Sequence, residues 1–253
     1  MAKIIAFANQ KGGVGKTTSA INIASALGIL GKKTLLIDSD PQGNASSGVG
    51  VVNPKHSSTT YDVLIGRCSA SAAIQHTEFK KLDVMPSTMD LAGAEFELVD
   101  IENRETRLKT ALAEIENDYD FIIIDCPPSL GILTLNALVA SDGVVLPMQC
   151  EYFALEGLSQ MTKTIEQVKR LYNPKLTITG ILITMYNGRL NLSLQVVDQI
   201  KKFYAKKLFK TAITRNVRLS EAPSYGQPIQ YYDKHAKGTE AYNEVAKELL
   251  KRF

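Results

Sequence analysis

The sequence predicts an α/β fold: a doubly wound, mostly parallel sheet with helices on both faces. Three observations predict it. Short β-branched runs alternate with longer amphipathic segments along almost all of the 253 residues. The most apolar runs lack polar alternation, as expected of strands covered on both faces. A glycine-rich loop, NQKGGVGKTTSA at 9–20, follows the first strand pattern and opens the first helix pattern, the order that a phosphate loop requires.

Taken in order, KIIAFA (3–8), KTLLI (33–37), LDVM (82–85), FIII (121–124), GVVLP (143–147) and TITGILIT (177–184) read as strands, and FKTAIT (209–214) as a further one. Helical patterns lie between them. Residues 16–30 carry Ile21, Ile23, Ala24 and Leu27, residues 103–117 carry Leu108, Leu112 and Ile115, and residues 155–172 carry Leu158, Met161, Ile165, Val168 and Leu171. Near the C-terminus, Tyr242, Val245, Ala246, Leu249 and Leu250 recur at helical spacing behind Gly238-Thr239. No linker, repeat or low-complexity tract divides the chain, so residues 1–253 are expected to form one domain. With the first strand expected from Lys3, no separate N-terminal helix-turn-helix domain is expected.

Composition narrows the class. Charged residues at 22%, apolar residues at 45% and a net charge of +3 are those of an ordinary globular protein. Cys68, Cys126 and Cys150 show neither paired nor CxxC spacing, which predicts reduced thiols rather than a disulfide framework or a zinc site. The run IIAFA is too short for a signal peptide, and no run approaches the roughly 18 apolar residues of a membrane span. A cytoplasmic protein without membrane contact is the expectation.

In the loop, Gly12, Gly13 and Gly15 let backbone N–H groups, with that of Val14 among them, converge on phosphate oxygens where a Cβ would obstruct the approach. The helix opening near Lys16 adds its positive dipole end. Lys16 is placed to reach the β- and γ-phosphates, Thr17 to ligate Mg²⁺ and Thr18 to contact the α-phosphate. The loop departs from G-x-x-x-x-G-K-[ST] at Gln10, where that pattern has glycine, and carries a second lysine, Lys11. Two readings of Lys11 stay open on chemistry alone. It is a solvated surface lysine, or it supplies charge in trans to the nucleotide of a facing protomer, as an arginine finger does.

Two further segments carry acids at strand ends, where ligands bind in open α/β sheets. IDSDPQGN (37–44) offers Asp38 and Asp40; one of them orients an attacking water, or the Asp-Pro-x-Gly run is only a turn. FIIIDCPPSLG (121–131) ends its strand in Asp125, which reads as the acid that holds a water on Mg²⁺, with Cys126 as a small packing residue. Further on, residues 188–220 hold Arg189, Lys201, Lys202, Lys206, Lys207, Lys210, Arg215 and Arg218 against one acid, Asp198. Within 192–208 a stripe of Val196, Ile200, Phe203 and Tyr204 leaves the lysines on the open side. That face suits a phosphate backbone without base reading, or is simply a solvated helix.

KGGVGKTT resembles the deviant Walker A motif of the MinD/ParA/nitrogenase-iron-protein ATPases. The stretches DSDPQGNASSGVG (38–50), LAGAEFELV (91–99), DCPPSLGILTLNAL (125–138), QCEYFALEGLSQ (149–160) and RNVRLSEAPSYGQPI (215–229) resemble the ParA/Soj partition ATPases nearly end to end. The resemblance implies a Mg²⁺-dependent ATPase. Lys11 then acts across an ATP-bound homodimer, Asp40 positions the water and joins Asp125 in the magnesium shell through water, and Asn216 lies in the adenine-side loop. It further implies nonspecific double-stranded DNA binding through Arg189 and Arg218, a ParB/Spo0J-like partner that stimulates hydrolysis, and a nucleoid-associated location. Two rivals share the loop. A MinD-like membrane-bound regulator needs an exposed amphipathic tail, and an iron-protein-like electron donor needs cysteines placed to share a cluster between subunits.

Overall fold

A computed structural model describes residues 1–52 and 57–253. Its seven strands form one sheet: β1 (Lys3–Phe7), β2 (Thr34–Asp38), β3 (Gln75–His76), β4 (Leu82–Met85), β5 (Phe121–Asp125), β6 (Gly143–Gln149) and β7 (Thr177–Thr184). Their spatial order is β3-β4-β2-β5-β1-β6-β7. Only the two-residue edge strand β3 is antiparallel; every other pairing is parallel.

Strand residues alternate between two cores. Ile4, Ala6, Leu35, Ile37, Ile122 and Ile124 face one, while Ile5, Phe7, Leu36, Phe121 and Ile123 face the other. Both faces are therefore apolar, which is why the sequence shows runs instead of alternation. On the second face lie α1 (Lys16–Ile29) and α11 (Lys237–Leu250). Tyr242 of α11 is fully buried there, and its hydroxyl meets Ser19 Oγ of α1 at 3.1 Å. The first face is covered by α4 (Leu91–Glu97), α5 (Arg107–Leu112), α6 (Ile132–Ala140), α7 (Ala154–Leu171) and α8 (Asn191–Tyr204). Among the described residues four short α-helices complete the set: α2 (Asn44–Ser47), α3 (Thr60–Ile65), α9 (Val217–Glu221) and α10 (Ile229–Tyr232).

Three expectations change. Residues 209–214 form no strand; isolated parallel bridges join Leu208, just before the run, to Ile181, and Thr214, at its end, to Tyr186. Phe209 and Ile213 of that run are buried on the α1 side and Ala212 packs partly buried against the other core, but the backbone bridges β7 only at isolated points. The helix expected over 103–117 is α5, preceded by a 3-10 turn at 104–106. Beyond Leu112 the backbone continues in tight turns that still bury Ile115. In α8, Val196 and Ile200 are buried as expected, but Phe203 is 79% exposed and the helix stops at Tyr204. The α7 surface receives Tyr204 instead, whose hydroxyl meets Thr162 Oγ1 at 3.2 Å.

Candidate nucleotide-binding site

Strands β1, β2 and β5 end level with one another: Phe7 and Asp38 both pair with Asp125. The glycine loop leaves the centre of this edge. Gly13 and Gly15 take left-handed backbone angles, φ 72° and 83°, which side chains other than glycine's adopt only with strain. The loop's carbonyls are tied outward. Gln149 Nε2 donates to Gly13 O at 2.7 Å, Thr184 Oγ1 to Val14 O at 2.7 Å, and Asn9 Nδ2 holds the loop's entry to Pro147 O at 2.8 Å. With carbonyls so engaged, the loop's N–H groups and the start of α1 are left for an anion. Gln149 and Thr184 were not anticipated; a polar residue closing each apolar strand was the signal.

The two lysines occupy different places. Lys16 is buried and donates to the Lys11 carbonyl at 3.3 Å. Burial lowers its pKa against the opposing pull of Asp125, Cys126 and Asp40. Lys11 lies at the mouth with half its side chain exposed, and its ammonium pairs with Glu151 at the end of β6 rather than with anything in its own loop.

Three carboxylates stand behind the loop with distinct roles. Asp38 is structural: its Oδ2 accepts from both the N–H and the hydroxyl of Ser46 at 2.7 Å, and its Oδ1 from the Asp40 N–H at 3.2 Å. Burial raises its pKa to about 6 against those hydrogen bonds. Asp40 spends one oxygen on the turn, accepting from Gln42 N at 3.0 Å, so the turn reading and the water-positioning reading both remain available to it. Asp125 is fully buried, and neither of its oxygens has a hydrogen-bond partner among the described residues. Burial and the neighbouring Asp38 and Asp40 push its pKa well up, while the hydroxyl of Thr17 and the charge of Lys16 favour ionisation.

An orphaned carboxylate beside a threonine hydroxyl fits a hydrated Mg²⁺, which takes few protein ligands and completes its shell with waters and phosphate oxygens. Next to the loop a cavity of about 740 Å³ is lined by Gly15, Thr18, Thr184, Asn216, Pro223 and Tyr242, among others. Its size and position suit a nucleoside. Asn216 both lines it and caps α9, accepting from Arg218 N at 2.8 Å.

The structure does not gather the basic residues into one cluster. Arg189 lies exposed in the turn between β7 and α8, and its guanidinium has no ion pair among the described residues. Lys201 and Lys202 are exposed near the far end of α8, and Lys206 lies just beyond it; the helix from Asn191 to Lys201 alone spans about 15 Å, so these lysines stand far from Arg189. Arg218 stands on α9, already paired with Glu221 at 2.8 Å and Asp233 at 3.5 Å.

Two rival contexts lose support. The apolar stripe of α11 is buried against the sheet side, not displayed as a tail. Cys126 is fully buried, with its thiol pKa raised by burial and by Asp125, and is not placed at a surface that two subunits can share. No helix among the described residues is long and apolar enough to cross a membrane.

Residues 2–178 match the model of a family described as an AAA domain. The chain is 53% identical to the sporulation initiation inhibitor protein Soj of Bacillus subtilis (strain 168), over 98% of each chain. It is 51% identical to the chromosome partitioning protein ParA of Myxococcus xanthus (strain DK1622), over 100% of this chain and 89% of that one. Among solved structures, cobyrinic acid a,c-diamide synthase from Mycobacterium smegmatis with bound ADP and magnesium superposes with a TM-score of 0.86 at 38% identity, covering 99% of this chain and 95% of that one. That structure's name differs from the other two, but its identity is lower and the shared fold explains the superposition. With more than half of its residues identical to proteins named Soj and ParA over essentially full length, the chain belongs to the ParA/Soj family of partition ATPases.

Proposed function

We propose that the protein is a DNA-partition ATPase that works as a nucleotide-timed switch. The observation that carries this is the placement of Lys11: its carbonyl receives Lys16, while its ammonium turns away from its own loop. A lysine so placed is offered to a facing protomer. The bound ADP and magnesium of the structural relative support ATP and Mg²⁺ as the ligands here.

In this reading the loop N–H groups and Lys16 hold the phosphates, and Thr18 and Asn216 line the nucleoside side. The Thr17 hydroxyl and the carboxylate of Asp125, the latter through water, would hold magnesium, which would supply positive charge against the phosphates. Asp40 orients the attacking water with the oxygen its turn leaves free. Lys11 of each protomer stabilises the charge that develops on its partner's nucleotide. Pairing two protomers doubles the basic surfaces bearing Arg189 and the α8 lysines, and two linked weak sites bind DNA far better than one. DNA binding in the ATP state would put the protein on the nucleoid, and hydrolysis, stimulated by a ParB/Spo0J-like protein, dissolves the pair and frees the DNA.

The test uses Asp40→Ala to hold the ATP state and a duplex of arbitrary sequence. Salt-sensitive binding with ATP alone, absent with ADP or without nucleotide and lost in Arg189→Glu, is the expected result. An ATP-dependent dimer that ignores DNA and binds anionic vesicles instead would overturn it.

A further inference from the structure

The clamps that hold the phosphate loop from outside both lead to one residue, Met185. Gln149 Nε2 donates to Gly13 O at 2.7 Å and also to Met185 Sδ at 3.0 Å. Thr184, whose hydroxyl holds Val14 O, directly precedes Met185 in the chain. Two residues beyond Gln149, Glu151 pairs with Lys11, so the end of β6 grips the loop at both Lys11 and Gly13. Met185 itself has a left-handed backbone, φ 49°, which a side chain other than glycine's adopts only with strain.

The surroundings that hold this conformation belong to the nucleoside side of the site. The next residue, Tyr186, donates its N–H to Ile213 O at 2.9 Å and bridges Thr214, and residues 213–216 wall the hollow beside the loop. Met185 is 37% exposed. It lines that hollow and also a neighbouring one of about 470 Å³ that reaches Gln149, Glu151 and Asn187. Its side chain therefore stands between the space that suits a nucleoside and the β6 end that grips the phosphate loop. A thioether is fitted to such a place, since it is flexible and polarisable and accepts a weak hydrogen bond.

We propose that Met185 is a positioning residue that ties the grip on the phosphates to the seating of the nucleoside, an inference that rests on the nucleotide reading above. A nucleoside in its hollow fixes the thioether, the thioether fixes the Gln149 amide, and the amide fixes Gly13. A nucleoside triphosphate is then favoured over a bare polyphosphate by more than the nucleoside's own contacts supply. Such a relay is a coupling between two subsites, and couplings of this kind change affinity by about 5- to 150-fold.

The experiment measures binding of ATP and of inorganic tripolyphosphate to the full chain with Mg²⁺, by titration calorimetry. Met185→Leu keeps the apolar bulk and removes the acceptor. It should cut the preference for ATP over tripolyphosphate about fivefold while leaving tripolyphosphate affinity unchanged. Met185→Gln offers an amide oxygen to Gln149 at similar reach and should keep the preference. Gln149→Leu removes the Gly13 clamp itself and should weaken both probes. An unchanged preference in Met185→Leu would overturn the relay. Equal losses in Met185→Leu and Met185→Gln would overturn it too, because the side chain would then be only a wall of the hollow. An unaltered chain that binds both probes alike would overturn the relay and leave the phosphate site standing. One that binds neither would overturn the nucleotide reading and the relay with it.

Discussion

Asp125 illustrates how a single side chain is held at a cost in the ligand-free chain. Its carboxylate is buried beside Asp38 and Asp40, and the Thr17 hydroxyl and the Lys16 charge offset burial only in part, so its charge is poorly compensated without a cation. Asp125→Asn keeps the shape and removes the charge. The ligand-free variant should melt higher at neutral pH, by about 2–4 °C for each kcal/mol relieved, and should lose the magnesium-dependent part of its stabilisation by ATP. Differential scanning calorimetry with and without Mg²⁺ checks both. Asp38 gives a pH signature. Its pKa is raised by burial to about 6 in the fold, so folding favours its protonated form. The stability it contributes is complete below about pH 4 and lost as pH rises through 6, about 3 kcal/mol in all. Asp38→Asn should flatten that part of the stability–pH curve measured by urea unfolding of the ligand-free chain.

At the level of elements, the sequence was most legible where one physical cause dominates. Strands β1, β2, β4, β5, β6 and β7 are runs buried on both faces, and their apolar continuity announced them. The glycine loop was equally clear, because φ values of 72° and 83° at Gly13 and Gly15 demand glycine. Residues 209–214 misled because their strand-like pattern is real, with Phe209 and Ile213 on the α1 face and Ala212 toward the other, yet the backbone meets β7 only in isolated bridges. Phe203 misled because helical spacing fixes the angle of a side chain but not whether a neighbour covers it. The tertiary clamps on the loop, Gln149 and Thr184, depend on contacts more than 130 residues away. Nothing local in the sequence specifies their targets. Two predictions belong here. Tyr242→Phe removes the Ser19 contact that joins α11 to α1, and should cost about 1 kcal/mol in denaturant unfolding while leaving the fold intact. Arg189→Glu should weaken DNA binding more than Arg218→Glu, because Arg218 already serves Glu221 and Asp233. A filter-binding salt titration separates them: the slope of log affinity against log salt should fall by about 1 for Arg189→Ala, and by less for Arg218→Ala.

For the whole molecule, the account rests on a division between what one chain contains and what two chains complete. One chain contains the phosphate loop, the threonine and the carboxylates. It turns Lys11 outward onto Glu151, so the charge that speeds hydrolysis is expected from a neighbour. Lys11→Ala should therefore bind ATP nearly as well as the unaltered chain, yet lose turnover by roughly a hundredfold or more. The most direct measurement mixes that variant with Asp40→Ala before ATP is added. Each alone is expected to be inactive, the first for want of the partner's lysine and the second for want of its water-positioning acid. In a mixed pair the Lys11 of the Asp40→Ala chain meets the intact site of the Lys11→Ala chain. An equal mixture should recover about a quarter of the unaltered rate, since half of randomly formed pairs are mixed and each holds one complete site. A mixture as inactive as its components would contradict the account and return Lys11 to its own active site.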